Sequence, residues 1–290
     1  PNVASGDRSV SIGTENNATS LYAAAFGTSN NSTGERSVAI GQGNLTSGLY
    51  ASAFGISNEA NGERSTALGY NNKANSFLST AIGCNNDTTM ASATTWVATE
   101  PLLMIGNGAT NASRSNAMMI LKNGNVGIGT NTPGFPLNFE STLGDKIALW
   151  GNSGSTYGFG IQSSLLQIHA DQSSSDIAFG YGSSGSFTEN MRIKGSGNVG
   201  IGTNAPGADL HIKHAGGGGL ILENASDGNQ WRLYSASGDN NLTFYNNANA
   251  EVADIDDVTG AFNAISDSRL KKNIQSMKPV LPLLMKLNPS

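Results

Sequence analysis

The sequence predicts an all-β chain, an elongated assembly whose first third is a roll of fourteen-residue coils. Three observations predict it. A glycine returns every fourteen residues, at Gly13, Gly27, Gly41, Gly55, Gly69 and Gly83. A bulky apolar residue precedes each one (Ile12, Phe26, Ile40, Phe54, Leu68, Ile82), with Ser11 or an alanine before that (Ala25, Ala39, Ala53, Ala67, Ala81). An asparagine stands three residues after each glycine: Asn16, Asn30, Asn44, Asn58, Asn72 and Asn86. A short period without insertions makes each repeat one coil of a solenoid.

Fourteen residues suit two short strands and two tight turns. Ser37-Val38-Ala39-Ile40-Gly41 alternates side-chain size with period two, as a strand does. The glycine and the later asparagine are expected at the turns, because left-handed backbone is cheap for Gly and tolerable for Asn. No helical stripe runs through these residues. Six coils at ~4.8 Å each make a rod of roughly 30 Å.

The period has a finer structure. Alternate strands are preceded by Asp7-Arg8, Glu35-Arg36 and Glu63-Arg64, and the others by Leu21-Tyr22, Leu49-Tyr50 and Phe77-Leu78. A 28-residue coil would stack the arginines at strand spacing, which like charges oppose. A 14-residue coil interleaves them with tyrosines, a guanidinium on an aromatic face at each step, and spaces the like charges at ~10 Å. Fourteen is therefore expected. Strands such as Val38-Ala39-Ile40 carry apolar residues on both faces. One face fills the thin coil and the other needs a partner, for which an identical chain suffices.

The motif Ser37-Val38-Ala39-Ile40-Gly41, repeated at fourteen over about residues 4–90, resembles the head repeat of YadA-type trimeric autotransporter adhesins. The resemblance implies a left-handed parallel β-roll that associates as a homotrimer. The same repeat occurs in phage and other fibres, so it implies architecture rather than a particular ligand.

Composition sets outer bounds. The chain has 290 residues, 37 glycines, 13% charged residues and a net charge of −5. That fits a turn-rich elongated chain and gives no basic footprint for nucleic acid. No apolar run approaches a membrane span, so no membrane insertion is expected in this chain. The start at Pro1 and the lack of a signal peptide suggest a processed product or a fragment. Cys84, the single cysteine, is read in the turn after Gly83, as a small inert thiol or an interchain site.

Beyond residue 90 the rhythm changes. Residues 91–117 are read as a connector. A second repeat then appears: Lys122-Asn-Gly-Asn-Val-Gly-Ile-Gly-Thr130 recurs as Lys194-Gly-Ser-Gly-Asn-Val-Gly-Ile-Gly-Thr203. Each copy lies between apolar strands, which suggests two β modules, 118–190 and 191–262, too small to be stable alone and expected to share a core between chains. The Gly-x-Gly spacing is not a phosphate loop, since a Pro-containing turn and a strand follow it rather than a helix. The Gly-Asn-Val-Gly-Ile-Gly-Thr element also resembles shaft and knob modules of phage tail fibres.

Several side chains could bear function. His211 and His214 fall on opposite strand faces, so they cannot share one metal within a chain. Asp254, Asp256 and Asp257 lack calcium-loop spacing. Trp150, Tyr157, Trp231, Tyr234 and Tyr245 would stack on sugars if exposed, but aromatics in short β modules are mostly core. Sequons at Asn17, Asn44 and Asn241 are expected by chance in so Asn-rich a chain. No cofactor and no metal site is expected.

At the end of the chain, Ser266-Asp267-Ser268-Arg269-Leu270-Lys271 resembles the start of the intramolecular chaperone of tailspikes and tail fibres, the peptidase S74 family. The resemblance implies self-release at the Ser266–Asp267 junction by a serine–lysine dyad, with Ser266 as nucleophile and Lys271 as base. Residues 263–290 are read as the start of that chaperone. An apolar stripe from Ile274 to Leu287, cut by Pro279 and Pro282, gives a short helical stub. The sequence thus reads as a structural and adhesive fibre protein of a phage tail or phage-tail-like injection system. It is extracellular on a virion or tail-like particle, and its partners are identical chains, baseplate or other fibre proteins, and a host receptor such as a glycan. A bacterial cell-surface adhesin is the second reading and a glycan-degrading tailspike the third. No substrate-directed activity is expected.

Overall fold

A computed structural model describes residues 1–88, 91–152, 154–215, 218–235, 238, 240–248 and 250–264. Every regular element among them is a β-strand. The described residues divide into two compact units, residues 1–146 with 160–167, and residues 147–159 with the described residues after 167.

The first unit opens with the solenoid. Its strands alternate between two and five residues: Val3–Ala4 (β1), Val10–Thr14 (β2), Asn17–Ala18 (β3), Ala24–Thr28 (β4), Asn31–Ser32 (β5), Val38–Gln42 (β6), Leu45–Thr46 (β7), Ser52–Ile56 (β8), Glu59–Ala60 (β9), Thr66–Tyr70 (β10), Lys73–Ala74 (β11) and Thr80–Cys84 (β12). Short strands pair only with short ones and long with long, always parallel and always with the residue fourteen further on. The fourteen-residue coil is therefore the observed one.

The coil interior is as small as the sequence suggests. Ala25, Ala39, Ala53, Ala67 and Ala81 of the long strands face Ala18, Ser32, Thr46, Ala60 and Ala74 of the short ones, all fully buried. The asparagine column fills the remaining corner. From Asn16 through Asn72, each amide donates to the carbonyl of the preceding bulky residue and, at 2.6–2.7 Å, to the glycine carbonyl of the next coil, whereas the Asn86 amide donates to the Lys73 carbonyl. Each Oδ1 accepts the backbone N–H of the next asparagine. These buried polar groups are thus paired by one another, coil after coil. The glycines make that close approach possible: at Gly27, with φ of 118°, a Cβ would lie 2.0 Å from the carbonyl oxygen of Gly41.

The turns differ from expectation. The asparagines are not the left-handed residues. Their predecessors Glu15, Ser29, Gly43, Ser57, Asn71 and Asn85 are, with φ from 45° to 64°. At the other turn, Arg8, Tyr22, Arg36, Tyr50, Arg64 and Leu78 take φ from 54° to 58°. The column needs each asparagine side chain inside, which leaves the turn geometry to the residue before it.

Within residues 91–117, read as a connector, the chain adds a strand to the long-strand sheet. Pro101–Asn107 (β13) pairs parallel with β12, Thr80 meeting Leu103. Asn116–Leu121 (β14) and Val126–Ile128 (β15) then pair antiparallel, and Leu137–Phe139 (β16) closes a ten-stranded sheet. The short-strand sheet ends at β11, and Met104 and Met119, both buried, fill the space its next strand would take. Larger side chains replace a missing wall.

Gly144–Asn152 (β17), Ser155–Gln162 (β18) and Leu165–His169 (β19) form a three-stranded sheet. In the second unit, Ile177–Ser183 (β20), Ser186–Ile193 (β21), Val199–Ile201 (β22) and Leu210–Ile212 (β23) make a four-stranded sheet. Its register repeats that of β14–β16 at the spacing the sequence repeat shows: Met118 pairs with Ile128 and Met191 with Ile201, Val126 with Leu137 and Val199 with Leu210. Leu220–Asn224 (β24), Asn229–Ser235 (β25), Leu242–Tyr245 (β26), Glu251–Ile255 (β27) and Phe262–Ala264 (β28) form a five-stranded antiparallel sheet.

Candidate functional site

The ten-stranded sheet turns its alanine row inward and therefore its bulky row outward. Register makes that row continuous. Ile12, Phe26, Ile40, Phe54, Leu68 and Ile82 stack in order, and the row runs on through Ile105, Met118, Ile128 and Phe139. At ~4.8 Å per strand it is roughly 43 Å long. Ile12 is 58% exposed and Leu68 47%, and the phenylalanines are half-buried. A second outward row beside it, Val10, Ala24, Val38, Ser52, Thr66 and Thr80, becomes bulkier at Leu103, Ile120, Val126 and Leu137. An ordered apolar strip of this length differs from singly scattered surface hydrophobics.

The turn edge carries the arginine–tyrosine ladder. Arg8 lies 5.3 Å from the Tyr22 ring centroid, Arg36 5.3 Å from Tyr22 and 5.4 Å from Tyr50, and Arg64 5.6 Å from Tyr50 and 5.8 Å from Phe77. Glu35 and Glu63 pair with the adjacent arginines. Arg36 and Arg64 are each sandwiched by two π faces and paired with the adjacent glutamate, while Arg8 has the single ring of Tyr22, so a charged column can run along the coils.

Two cations escaped the sequence reading. Arg114 reaches back into the solenoid and donates to the carbonyls of Asn71 and Asn86 at 2.9 and 3.0 Å. Lys122 is fully buried, 3.1 Å from Glu100 and 5.6 Å from the Trp96 ring. Both fasten the β13–β14 segment at the end of the solenoid. Lys122 opens the Lys122–Thr130 repeat, but its burial depends on Glu100, and Arg114 lies in no motif and reaches Asn71 and Asn86, all distant in sequence.

The other sequence candidates fall as follows. Ser266 and Lys271, and with them the cleavage junction and the stub, lie outside the described residues. His211 Nδ1 accepts the Gly207 N–H at 3.3 Å, and the His214 ring packs edge-on against Tyr234. Asp254 accepts the amides of Asn241 and Asn263, while Asp256 caps its own turn. The Thr259 hydroxyl and N–H hold the Asp256 carboxyl below the usual carboxylate range. Cys84 closes strand β12 rather than sitting in a turn, with its thiol 3.5 Å from the Gly108 carbonyl. Asn44 is buried in the asparagine column, which removes its sequon from solvent.

The aromatics divide into two kinds. Tyr234 and Tyr245 stack at 5.1 Å, share a 2.9 Å hydroxyl contact and sit beneath Arg232. The Tyr234 hydroxyl first, and burial second, push the Tyr245 phenol up to about 12. They are a half-buried cluster that pairs within itself. Trp150 and Trp231 instead stand 68% and 51% exposed.

The YadA head domain repeat family matches residues 4–29, 18–44 and 47–72. A comparison with curated proteins finds no match. The N-terminal coils are YadA-like head repeats, stacked as a parallel β-solenoid.

Proposed function

We propose that this chain is one subunit of a homotrimeric adhesive fibre that attaches a phage tail, or a phage-tail-like injection system, to a host surface. The outward apolar row across the ten-stranded sheet carries the reading. Such a row is costly in water and is removed when copies bring their rows together about a common axis. The YadA-like repeats support three copies. Strand β24 adds to the case, since the consecutive Leu220, Ile221 and Leu222 are all exposed and its two faces are both apolar. A second copy and a third would cover them.

The phage-tail assignment rests on the Ser266-Asp267-x-Arg269-x-Lys271 pattern and its likeness to the S74 chaperones. In this scheme the trimer forms first. Ser266 Oγ of one chain then adds to the carbonyl carbon of the Ser266–Asp267 bond of a neighbouring chain, Lys271 takes the hydroxyl proton and passes it to the Asp267 amine as the C–N bond breaks, and water hydrolyses the resulting ester. The bacterial trimeric adhesin is the second reading, favoured by the head-repeat match itself. Both are tested on the full-length protein. Sedimentation equilibrium is expected to give three times the chain mass, and a stable monomer refutes the fibre. Intact mass is expected to show loss of the C-terminal piece in wild type and its retention in Ser266→Ala and Lys271→Ala. A wild type that stays whole removes the chaperone argument and leaves the adhesin.

A further inference from the structure

Trp150, near the end of β17, exposes 68% of its surface, yet its ring is held in place. Tyr157 of β18 meets it edge to face, with centroids 5.6 Å apart and planes at 66°. The Tyr157 hydroxyl donates to Ser175 Oγ at 3.0 Å, and Ser175 Oγ donates to Asp171 Oδ1 at 2.5 Å. One tyrosine therefore fixes an aromatic plane with its ring and, through one serine, a carboxylate with its hydroxyl. Asp171 Oδ2 has no partner among the described residues.

Trp150 and Asp171 line the same cleft, together with Gly151, Asn152 and Ser155. Its volume is about 490 Å³, within the ~300–1,000 Å³ of small-ligand clefts. Gly151 keeps its backbone close to the opposite strand: at φ of 105° a Cβ would lie 2.1 Å from the Ser155 carbonyl oxygen. The lining thus combines one exposed indole face with a carboxylate, an amide and a hydroxyl. A pyranose ring has the matching chemistry, with an apolar C–H face for the indole and a rim of hydroxyls for acceptors and donors. The carboxylate disfavours uronic and sialic acids by like charge and favours neutral or amine-bearing sugars.

We propose that this cleft is a glycan subsite that holds one pyranose unit of a neutral or amino sugar, with Trp150 as the stacking platform and Asp171 as the hydroxyl or ammonium acceptor. The choice of a glycan as natural ligand rests on the attachment reading above. Tyr157 and Ser175 are positioning residues.

The test is tryptophan fluorescence of the assembled protein, titrated with maltotriose, N-acetylchitotriose and the glucosamine trimer, with trigalacturonate as the anionic control. At least one of the first three is expected to give a saturable change below about 10 mM, the range of a single stacked sugar contact. Trp150→Ala is expected to abolish it, Asp171→Asn to weaken it at least five-fold, and Tyr157→Phe to weaken it with unchanged circular dichroism. No saturable change with any of the three, a change that survives Trp150→Ala, or equal binding of trigalacturonate overturns the proposal. Acrylamide quenching and sedimentation separate it from the fibre reading. A Trp150 shielded from acrylamide in a trimer overturns the subsite and leaves the fibre standing. A sugar-binding monomer does the reverse.

Discussion

The side-chain amide of Asn44 donates to the carbonyl oxygen of Gly55 in the next coil at 2.7 Å. The same amide donates to Ile40 in its own coil and to Asn30 Oδ1 behind it, while Asn44 Oδ1 accepts the N–H of Asn58. One residue satisfies buried groups in four places along the column.

Asn44→Ala therefore leaves several buried backbone groups without partners. At about 1–3 kcal/mol for each buried group left unpaired, a loss of roughly 3 kcal/mol or more is expected. Gly41→Ala should be at least as damaging, since its Cβ would meet the Gly55 carbonyl oxygen at 2.0 Å. Denaturant titration followed by circular dichroism measures both. An Asn44→Ala loss under about 0.5 kcal/mol would mean that water enters the coil and replaces the amide.

The ladder makes a prediction of sign. Tyr50→Ala removes two cation–π contacts at an exposed edge and should cost about 1 kcal/mol. Tyr50→Arg sets three guanidiniums in succession and should cost more than the alanine. The excess should shrink as salt rises from 0.01 M to about 1 M, because added ions screen exposed charges. Equal costs at low salt would mean that the ladder is geometry without energy.

Ile40→Glu and Leu68→Glu each put a charge in the middle of the outward row while leaving the alanine interior untouched. Each change should block assembly, with the strand signal in circular dichroism retained. Sedimentation velocity reads the result, and normal assembly of both variants would move the interface elsewhere.

Lys122 and Glu100 form a buried pair. Glu100→Gln leaves the ammonium buried without its counter-charge and should destabilise by about 3–5 kcal/mol. Lys122→Met combined with Glu100→Gln should come much closer to wild type, since no charge is then stranded. Thermal unfolding of the single and double variants compares them directly.

Asp176 accepts the Gly195 N–H at 3.1 Å and the Arg192 guanidinium at 2.6 Å. The Gly195 N–H first, and then Arg192, hold its carboxyl below the ordinary value of 3.8. A carboxyl depressed on folding contributes stability above that ordinary value and loses it as pH falls through the lower folded one. The stability difference between wild type and Asp176→Asn should therefore be present at neutral pH and shrink as pH falls below the ordinary carboxyl value of 3.8. Melting curves across pH 2–7 would show this, and a constant difference would assign the effect to the hydrogen bond alone.

The legible parts of the fold were those repeated in every coil. Glycine and the bulky residue recur in every coil, and alanine in every coil but the first, where Ser11 stands, so the coil length, the buried row and the arginine–tyrosine interleaving could all be read. The left-handed turn could not, because Glu15, Ser29, Gly43, Ser57, Asn71 and Asn85 share no chemistry. A left-handed residue costs only ~1–2 kcal/mol, which the coil's bonds can offset for almost any side chain. The continuation into β13 was hidden by the break in register after Thr80, and the burial of Lys122 by the distance in sequence to Glu100. Of the aromatics, the sequence named Trp150 and Tyr157 without a means of knowing that Ser175 and Asp171 join them.

The asparagine column also governs how the coils would respond to force. Its bonds point along the stacking direction, parallel to those of the five-residue and two-residue strands, so each layer is held to the next by one complete set. A pull along that direction loads every layer in series, and the weakest layer yields first. Failure should then advance one coil at a time. Each detached coil would release fourteen residues, or roughly 45 Å of slack once its own thickness is subtracted. A single-molecule stretching trace would thus be a staircase of equal steps, and a tether under sudden load could lengthen by coils and recover them while its neighbours stay intact.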